Sequence, residues 1–222
     1  MKKIGLIVLV MLSQITLAQV TKNLGDFRTV SVFDKLTVKL IASSENKIII
    51  NGARASEVET VNNNGELKLR MPFPKLLSGD EIHIQLYFKN IDEINANEGS
   101  FVSSDAVFKG TILNISAREG ATIQAEIEAE KVNVKAVTGA IIELSGKANN
   151  QEVNVTSGAS IDAIDLHTSQ TTITVLAGGT AEIYATTLVD AKVRAGGTVY
   201  IYGKPKQINK ATVLGGKIEE KN

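Results

Sequence analysis

Glycine recurs along the second half of this chain at an interval that few folds accommodate. It stands at Gly99, Gly120, Gly139, Gly158, Gly178, Gly196 and Gly215, with spacings of 21, 19, 19, 20, 18 and 19 residues. The flanks keep the same register. Three residues after each glycine come Val102, Ile123, Ile142, Ile161, Ala181, Val199 and Ile218. Three before the first six come Ala96, Ala117, Ala136, Val155, Val175 and Val193, and five before them Ile94, Ile115, Val134, Val153, Ile173 and Ala191. The position between those last two columns is polar in every copy: Asn95, Ser116, Lys135, Asn154, Thr174 and Lys192. Apolar and polar residues thus alternate with a period of two on both sides of a small-residue turn.

A helix does not fit this pattern. The segment is rich in Val, Ile and Thr, alternates with period two rather than 3.6, and meets a glycine in every copy. A repeat of this length is too short for a propeller blade or a helical pair and lacks the leucine-rich consensus. It suits one coil of a β-solenoid, built from two or three short strands with tight turns between them. Coils then stack about 4.8 Å apart with hydrogen bonds between them, and equivalent positions become vertical columns. The predicted class is all-β, a right-handed β-helix of roughly 19-residue coils over residues 90–222.

Residues 19–89 read differently. Strands are predicted over Phe27–Phe33, Leu36–Ala42, Lys47–Asn51, Glu57–Val61, Glu66–Met71 and Glu81–Phe88, with a hairpin turn at Asn62-Asn63-Asn64-Gly65 and a loop over Met71–Lys75. The repeat register is not visible there. The segment is expected to form an irregular β layer, continuous with the solenoid, that caps an otherwise exposed end.

Residues 1–18 carry a basic start (Lys2, Lys3), an apolar run from Ile4 to Leu12 and a small-residue site at Thr16-Leu17-Ala18. This is the pattern of a secretory signal peptide cleaved after Ala18, and the run is too short for a stable membrane span. Export from a Gram-negative cell follows, to the periplasm or the cell surface. The 222-residue chain has no Cys, which excludes disulfide staples, thiolate metal sites, Cys nucleophiles and a lipid-modified Cys. Of its 24 basic and 24 acidic residues, cleavage removes two Lys, leaving 22 against 24 and a net charge near −2. That balance, without any basic cluster interleaved with aromatics, argues against a nucleic-acid or anionic-membrane partner.

The order of features resembles the bacterial head-GIN-domain family of auto-transporter adhesins. The features are Phe33-Asp34-Lys35-Leu36-Thr37-Val38, then Lys47-Ile48-Ile49-Ile50-Asn51-Gly52, then a hairpin ending Asn64-Gly65-Glu66-Leu67-Lys68-Leu69. Small-Gly-small turns such as Ser157-Gly158-Ala159 follow, then Tyr202-Gly203-Lys204-Pro205 and a last Gly215-Gly216 turn. The resemblance spans about residues 27–218, although the Gly-Ser-Gly turns usual in that family are degraded here. It implies a secreted right-handed β-helix, similar in outline to pectin-lyase-like folds, whose usual suggested role is adhesion and which has no established enzymatic activity.

The candidate chemistry is sparse. Ser160, in the stretch Ser157-Gly158-Ala159-Ser160, lacks the second glycine and the helix of a nucleophile elbow, and its column runs Phe101, Thr122, Ile141, Ser160, Thr180, Thr198. No phosphate loop or dinucleotide fingerprint is present. His83 alternates with Ile82 and Ile84 and is expected on an outer face; His167 is expected at the bend opposite the glycines. Glu143, Asp162 and Glu182, each four residues past a turn glycine, are expected to stack outside three adjacent coils. Such carboxylates either fan apart in water, helped by Lys135 and Lys192, or share a hard cation such as Ca²⁺. The first reading is preferred, and no cofactor or metal is predicted. Tyr184, Tyr200 and Tyr202 cluster on neighbouring coils, either as a stabilising aromatic ladder or as a surface for a sugar ring or a protein partner. The functional expectation is a non-enzymatic envelope or surface binding scaffold whose partner is a glycan or an envelope protein. The alternatives are a lyase-like polysaccharide enzyme, which would need a Lys or Arg base beside the acids, and a homo-oligomeric structural module.

Overall fold

The computed structural model describes residues 19–221. The leader expected over residues 1–18 lies outside the described residues. The rest is almost wholly β-structure, and the described residues include no α-helix. From β9 (Phe101–Arg118) through β10 (Thr122–Val137), β11 (Ile141–Thr156), β12 (Ser160–Leu176) and β13 (Thr180–Arg194), the chain lays down coil on coil in parallel register. The expected short strands are merged: each coil is one strand of 15 to 18 residues. It bends where the pairing slips, between Gln124 and Glu126, Glu143 and Gly146, and Ala163 and His167. A β-bulge turns a strand without ending it. The coil therefore has two flat faces, joined by the glycine turn at one edge and by this bend at the other.

The columns behave as the repeat requires. Ile123, Ile142, Ile161, Ala181 and Val199 are buried and in register on one face, and Ile115, Val134, Val153, Ile173 and Ala191 on the other. At the turn edge, the residue before each glycine also has positive φ, from Glu98 (55°) to Leu214 (56°). Two consecutive left-handed residues make a type I′ turn, and glycine takes the second of these positions at no steric cost. The turns are tied to one another along the stack: the Gly99 amide donates to Glu119 O at 2.9 Å, Gly120 to Thr138 O at 3.0 Å and Gly139 to Ser157 O at 3.1 Å.

The N-terminal segment is continuous with the solenoid. It is not only a cap, because two further coils are folded into it out of chain order. β2 (Thr29–Val32) and β3 (Thr37–Ala42) form a coil that stacks directly beneath β8 (Glu93–Ala96) and the start of β9. Their turn is Asp34-Lys35, with φ of 59° and 61°, and the Lys35 amide donates to Glu98 O at 2.9 Å. It is an eighth member of the turn column, hidden in the sequence because Lys occupies the glycine position. β6 (Glu66–Arg70) and β7 (His83–Phe88) then form a coil beneath that one, paired parallel to β2 and β3. The true cap is antiparallel: β4 (Lys47–Asn51) lies on β7, β1 (Gln19–Asn23) on β4, and β5 (Glu59–Asn63) on β6. The hairpin between β5 and β6 turns at Asn64-Gly65, with φ of 50° and 82°.

The opposite end closes with charge. β14 (Thr198–Tyr202), β15 (Gln207–Val213) and β16 (Lys217–Glu220) make the last coils. Lys210 continues the apolar column of Ala191, and Glu220 that of Ile201. Their side chains meet, with Lys210 Nζ 2.6 Å from Glu220 Oε1. An ion pair thus spans the mouth of a core that the earlier coils fill mainly with aliphatic side chains.

Candidate binding groove

The bend edge carries a column of large side chains. Lys109, Glu128, Lys147, His167, Tyr184 and Tyr202 stand in register on six consecutive coils. Beside them runs a column of small residues, Gly110, Ala129, Ala148, Thr168 and Ala185. Small side chains next to large ones leave a trough along the solenoid axis, with Glu130, Asn149 and Ser169 on its far side. It has a volume of about 660 Å³. At about 4.8 Å per coil, the stretch from Lys109 to Tyr184 is roughly 20 Å long.

The wall is ordered by its own contacts. Glu128 takes Lys109 at 3.0 Å and Lys147 at 3.1 Å, so a carboxylate alternates with two ammonium groups at coil spacing. Hydrogen bonds from Lys109 and then Lys147 hold the Glu128 carboxyl below the usual carboxylate range. Further along, the His167 and Tyr184 rings stack with centroids 4.3 Å apart and planes 12° from parallel. The other side of the Tyr184 ring lies on the Gly203 backbone, where a Cβ would come within 2.9 Å of Tyr184 Cε1. Tyr184 is therefore a rung of a ladder, with both faces covered. Beyond it a second hollow of about 340 Å³ opens between Ile164, Asp165, Tyr202, Lys204 and Lys221. Tyr202 faces this hollow, and its hydroxyl is pushed above the usual phenol range by burial and then by the Glu182 charge.

Tyr200 lies on the flat face, in register with Glu182 and Glu219, with the Lys221 ammonium 4.9 Å and the Lys217 ammonium 5.8 Å from its ring centre. The three tyrosines are therefore neighbours but do not form one platform.

Glu143, Asp162 and Glu182 stack in register on the outer face, as the spacing requires. Gln124 Nε2 donates to Glu143 at 2.8 Å, and the Ile164 amide to Asp162 at 3.3 Å. Lys135 and Lys192 do not assist them. They sit on the opposite face, across the glycine turn, and Lys192 is 3.7 Å from Asp190. The strand reverses at the turn, so columns near in sequence are separated by the core. No group of three His, Asp or Glu able to hold a metal ion occurs among the described residues. Ser160 sits in register between Ile141 and Thr180, while His167 is engaged by Tyr184, so no serine constellation is assembled. His83 is exposed on the outer face of β7. The spacing of Lys109, Glu128 and Lys147 is the same 19 residues as the glycines. That signal was available; the bend that makes a trough of it was not.

Stacked columns, a closed core and an axial trough define a rigid β-solenoid scaffold. The chain belongs to the family described as "Putative auto-transporter adhesin, head GIN domain", whose model matches residues 26–205. Similar solved structures include a "putative adhesin" from Bacteroides fragilis, with 16% identity and a TM-score of 0.85, covering 92% of this chain and 97% of that one. Another "putative adhesin", from Parabacteroides distasonis, has 17% identity and a TM-score of 0.73 over the same shares. A "putative lipid binding protein" from Parabacteroides distasonis has 14% identity and a TM-score of 0.65, again over 92% and 97%. At these identities the likeness is one of fold. No curated protein matches the chain.

Proposed function

We propose that this chain is an exported, adhesin-like surface protein that binds by shape and fixed side-chain columns, without a reactive centre, and that the bend-edge trough is its binding surface. The supporting observation is the trough itself: a continuous wall of charged, imidazole and phenol groups beside a floor of Gly, Ala and Thr. Such a shape accepts an extended chain laid along the axis. Its walls offer donors and acceptors at coil spacing, and the floor brings the ligand close to the backbone. An extended glycan strand is the favoured ligand, with an extended envelope-protein segment as the alternative. The family's adhesin description and that of the Bacteroides fragilis protein agree with a binding role.

The test is a glycan array together with an envelope-protein pull-down, repeated with Ala129→Arg, which fills the trough floor. A bound ligand should be lost at least tenfold with Ala129→Arg and retained with Glu143→Gln on the flat face. Release of shortened or unsaturated sugars from a bound polysaccharide would refute the non-enzymatic reading.

A further inference from the structure

The coil formed by β6 and β7 lacks the four-residue turn of the others. In its place, at the glycine edge, runs a loop from Met71 to Ile82 that carries Phe73, Leu76 and Leu77 at 86%, 51% and 50% exposure. No other described segment exposes three large apolar side chains within five residues. Isolated exposed apolar residues are ordinary, but a cluster on one tip marks an interaction site.

The tip is held in place from within. The Asp34 carboxylate, buried at the foot of the loop, accepts the Met71 amide on Oδ2 and the Leu77 amide on Oδ1, both at 2.9 Å. The Gly79 amide donates to Asp34 O at 2.9 Å, the Lys75 amide to Pro72 O at 2.7 Å, and the Arg54 guanidinium to Ser78 O. Met71 is buried beneath. One carboxylate thus pins both ends of the apolar stretch, and the side chains project outward from an ordered base.

We infer that this loop is a membrane foot, which inserts Phe73, Leu76 and Leu77 into the headgroup region of a lipid bilayer. The size of the patch selects a bilayer over a protein. The patch is a convex tip of three side chains, which offers a few hundred Å² at most, whereas a stable protein interface needs roughly 800 Å² from each partner. A fluid surface closes around a tip without complementary shape. The trough lies at the opposite edge, so a protein standing on this foot turns its proposed binding surface outward. The inference goes beyond the proposed function and fails independently of it.

The chain has no Trp, so Phe73→Trp is a unique fluorophore at the tip. The probe is a vesicle of zwitterionic phosphatidylcholine. The Phe73→Trp emission should shift to the blue on adding vesicles. Vesicle partition of the natural chain in flotation should fall at least tenfold in the triple variant Phe73→Ser, Leu76→Ser, Leu77→Ser, and stay unchanged in Ala129→Arg. Circular dichroism checks that the triple variant keeps its β-structure. Unchanged emission with vesicles, or equal flotation of the natural and triple-Ser chains, overturns the inference. So does a dimer, seen by light scattering, that the triple variant dissolves, since the patch would then be covered by a second copy.

Discussion

Gly146 and Gly158 are both left-handed, with φ of +101° and +71°, yet replacing them with alanine should have very different costs. Gly158 is a turn glycine at the solenoid edge, and a Cβ there would meet nothing within 4 Å. Its substitution costs only the left-handed strain, about 1–2 kcal/mol. Gly146 sits at the bend of β11, where a Cβ would overlap the Ile127 carbonyl oxygen and lie 3.1 Å from Ile127 N. Those are backbone atoms of the coil beneath, so no rotamer change relieves the clash and two coils must separate locally. Overpacking of that kind adds about 1–3 kcal/mol. Gly146→Ala should therefore lose about 2–5 kcal/mol, a large fraction of a total near 5–15 kcal/mol. Urea unfolding followed by circular dichroism measures both variants, with m compared to detect a change in the unfolded state. Amide exchange should rise around Ile127 and Gly146 in the first variant and not in the second, because coils interact mainly with their neighbours. Equal losses in the two variants would refute the claim that coil spacing, rather than turn conformation, limits this site.

Two further outcomes are expected. Burial, followed by the carboxyl groups of Asp34 and Glu119, pushes the Glu98 carboxyl above the usual range. The folded state then binds that proton more tightly than the unfolded state, so ionised Glu98 costs stability above its folded pKa. That cost is relieved as pH falls toward the ordinary carboxylate range. Glu98→Gln should melt higher than the natural chain at neutral pH, and the gap should close on acidification; a gap that is constant with pH would sink the assignment. At the far end, Lys210→Ile with Glu220→Val should extend the apolar columns to an open mouth and give end-to-end association in sedimentation velocity. The exposed pair itself contributes little, about 1 kcal/mol or less, so the fold should survive.

The parts legible in the sequence are those where one residue type answers one physical demand. The Val/Ile/Ala columns at fixed offsets from Gly99 to Gly215 gave the coil register, because a two-residue period on a stacked coil leaves no other face to bury. Asn64-Gly65 gave the β5–β6 hairpin for the same kind of reason: both positions need positive φ. The hidden coils were not legible, because Asp34-Lys35 makes the same turn without glycine. Lys35 is held there by its amide bond to Glu98 O, a partner 63 residues away. Nor does local pattern reveal that β6 and β7 lie beneath β2 and β3. That order is set by pairings such as Val38 with Ile84. For the site, the tyrosines were legible as neighbours. Their separation into a covered ladder rung at Tyr184, a cation-facing ring at Tyr200 and a hollow-lining ring at Tyr202 depends on the bend and on Gly203. Lys135 and Lys192 were misplaced because a four-residue turn carries the chain to the other side of the core.

The turn column and the ion pair at Lys210 and Glu220 divide the molecule into two kinds of sequence. Coils from β9 to β13 pair in parallel with their neighbours above and below, whereas the two ends are closed in other ways. A whole coil inserted among them, or removed, leaves both ends intact and lengthens or shortens the trough by one step of about 4.8 Å. Reach along the axis is thus an integer, counted in glycine turns, and related chains can match ligands of different length by copying a coil without reshaping a site.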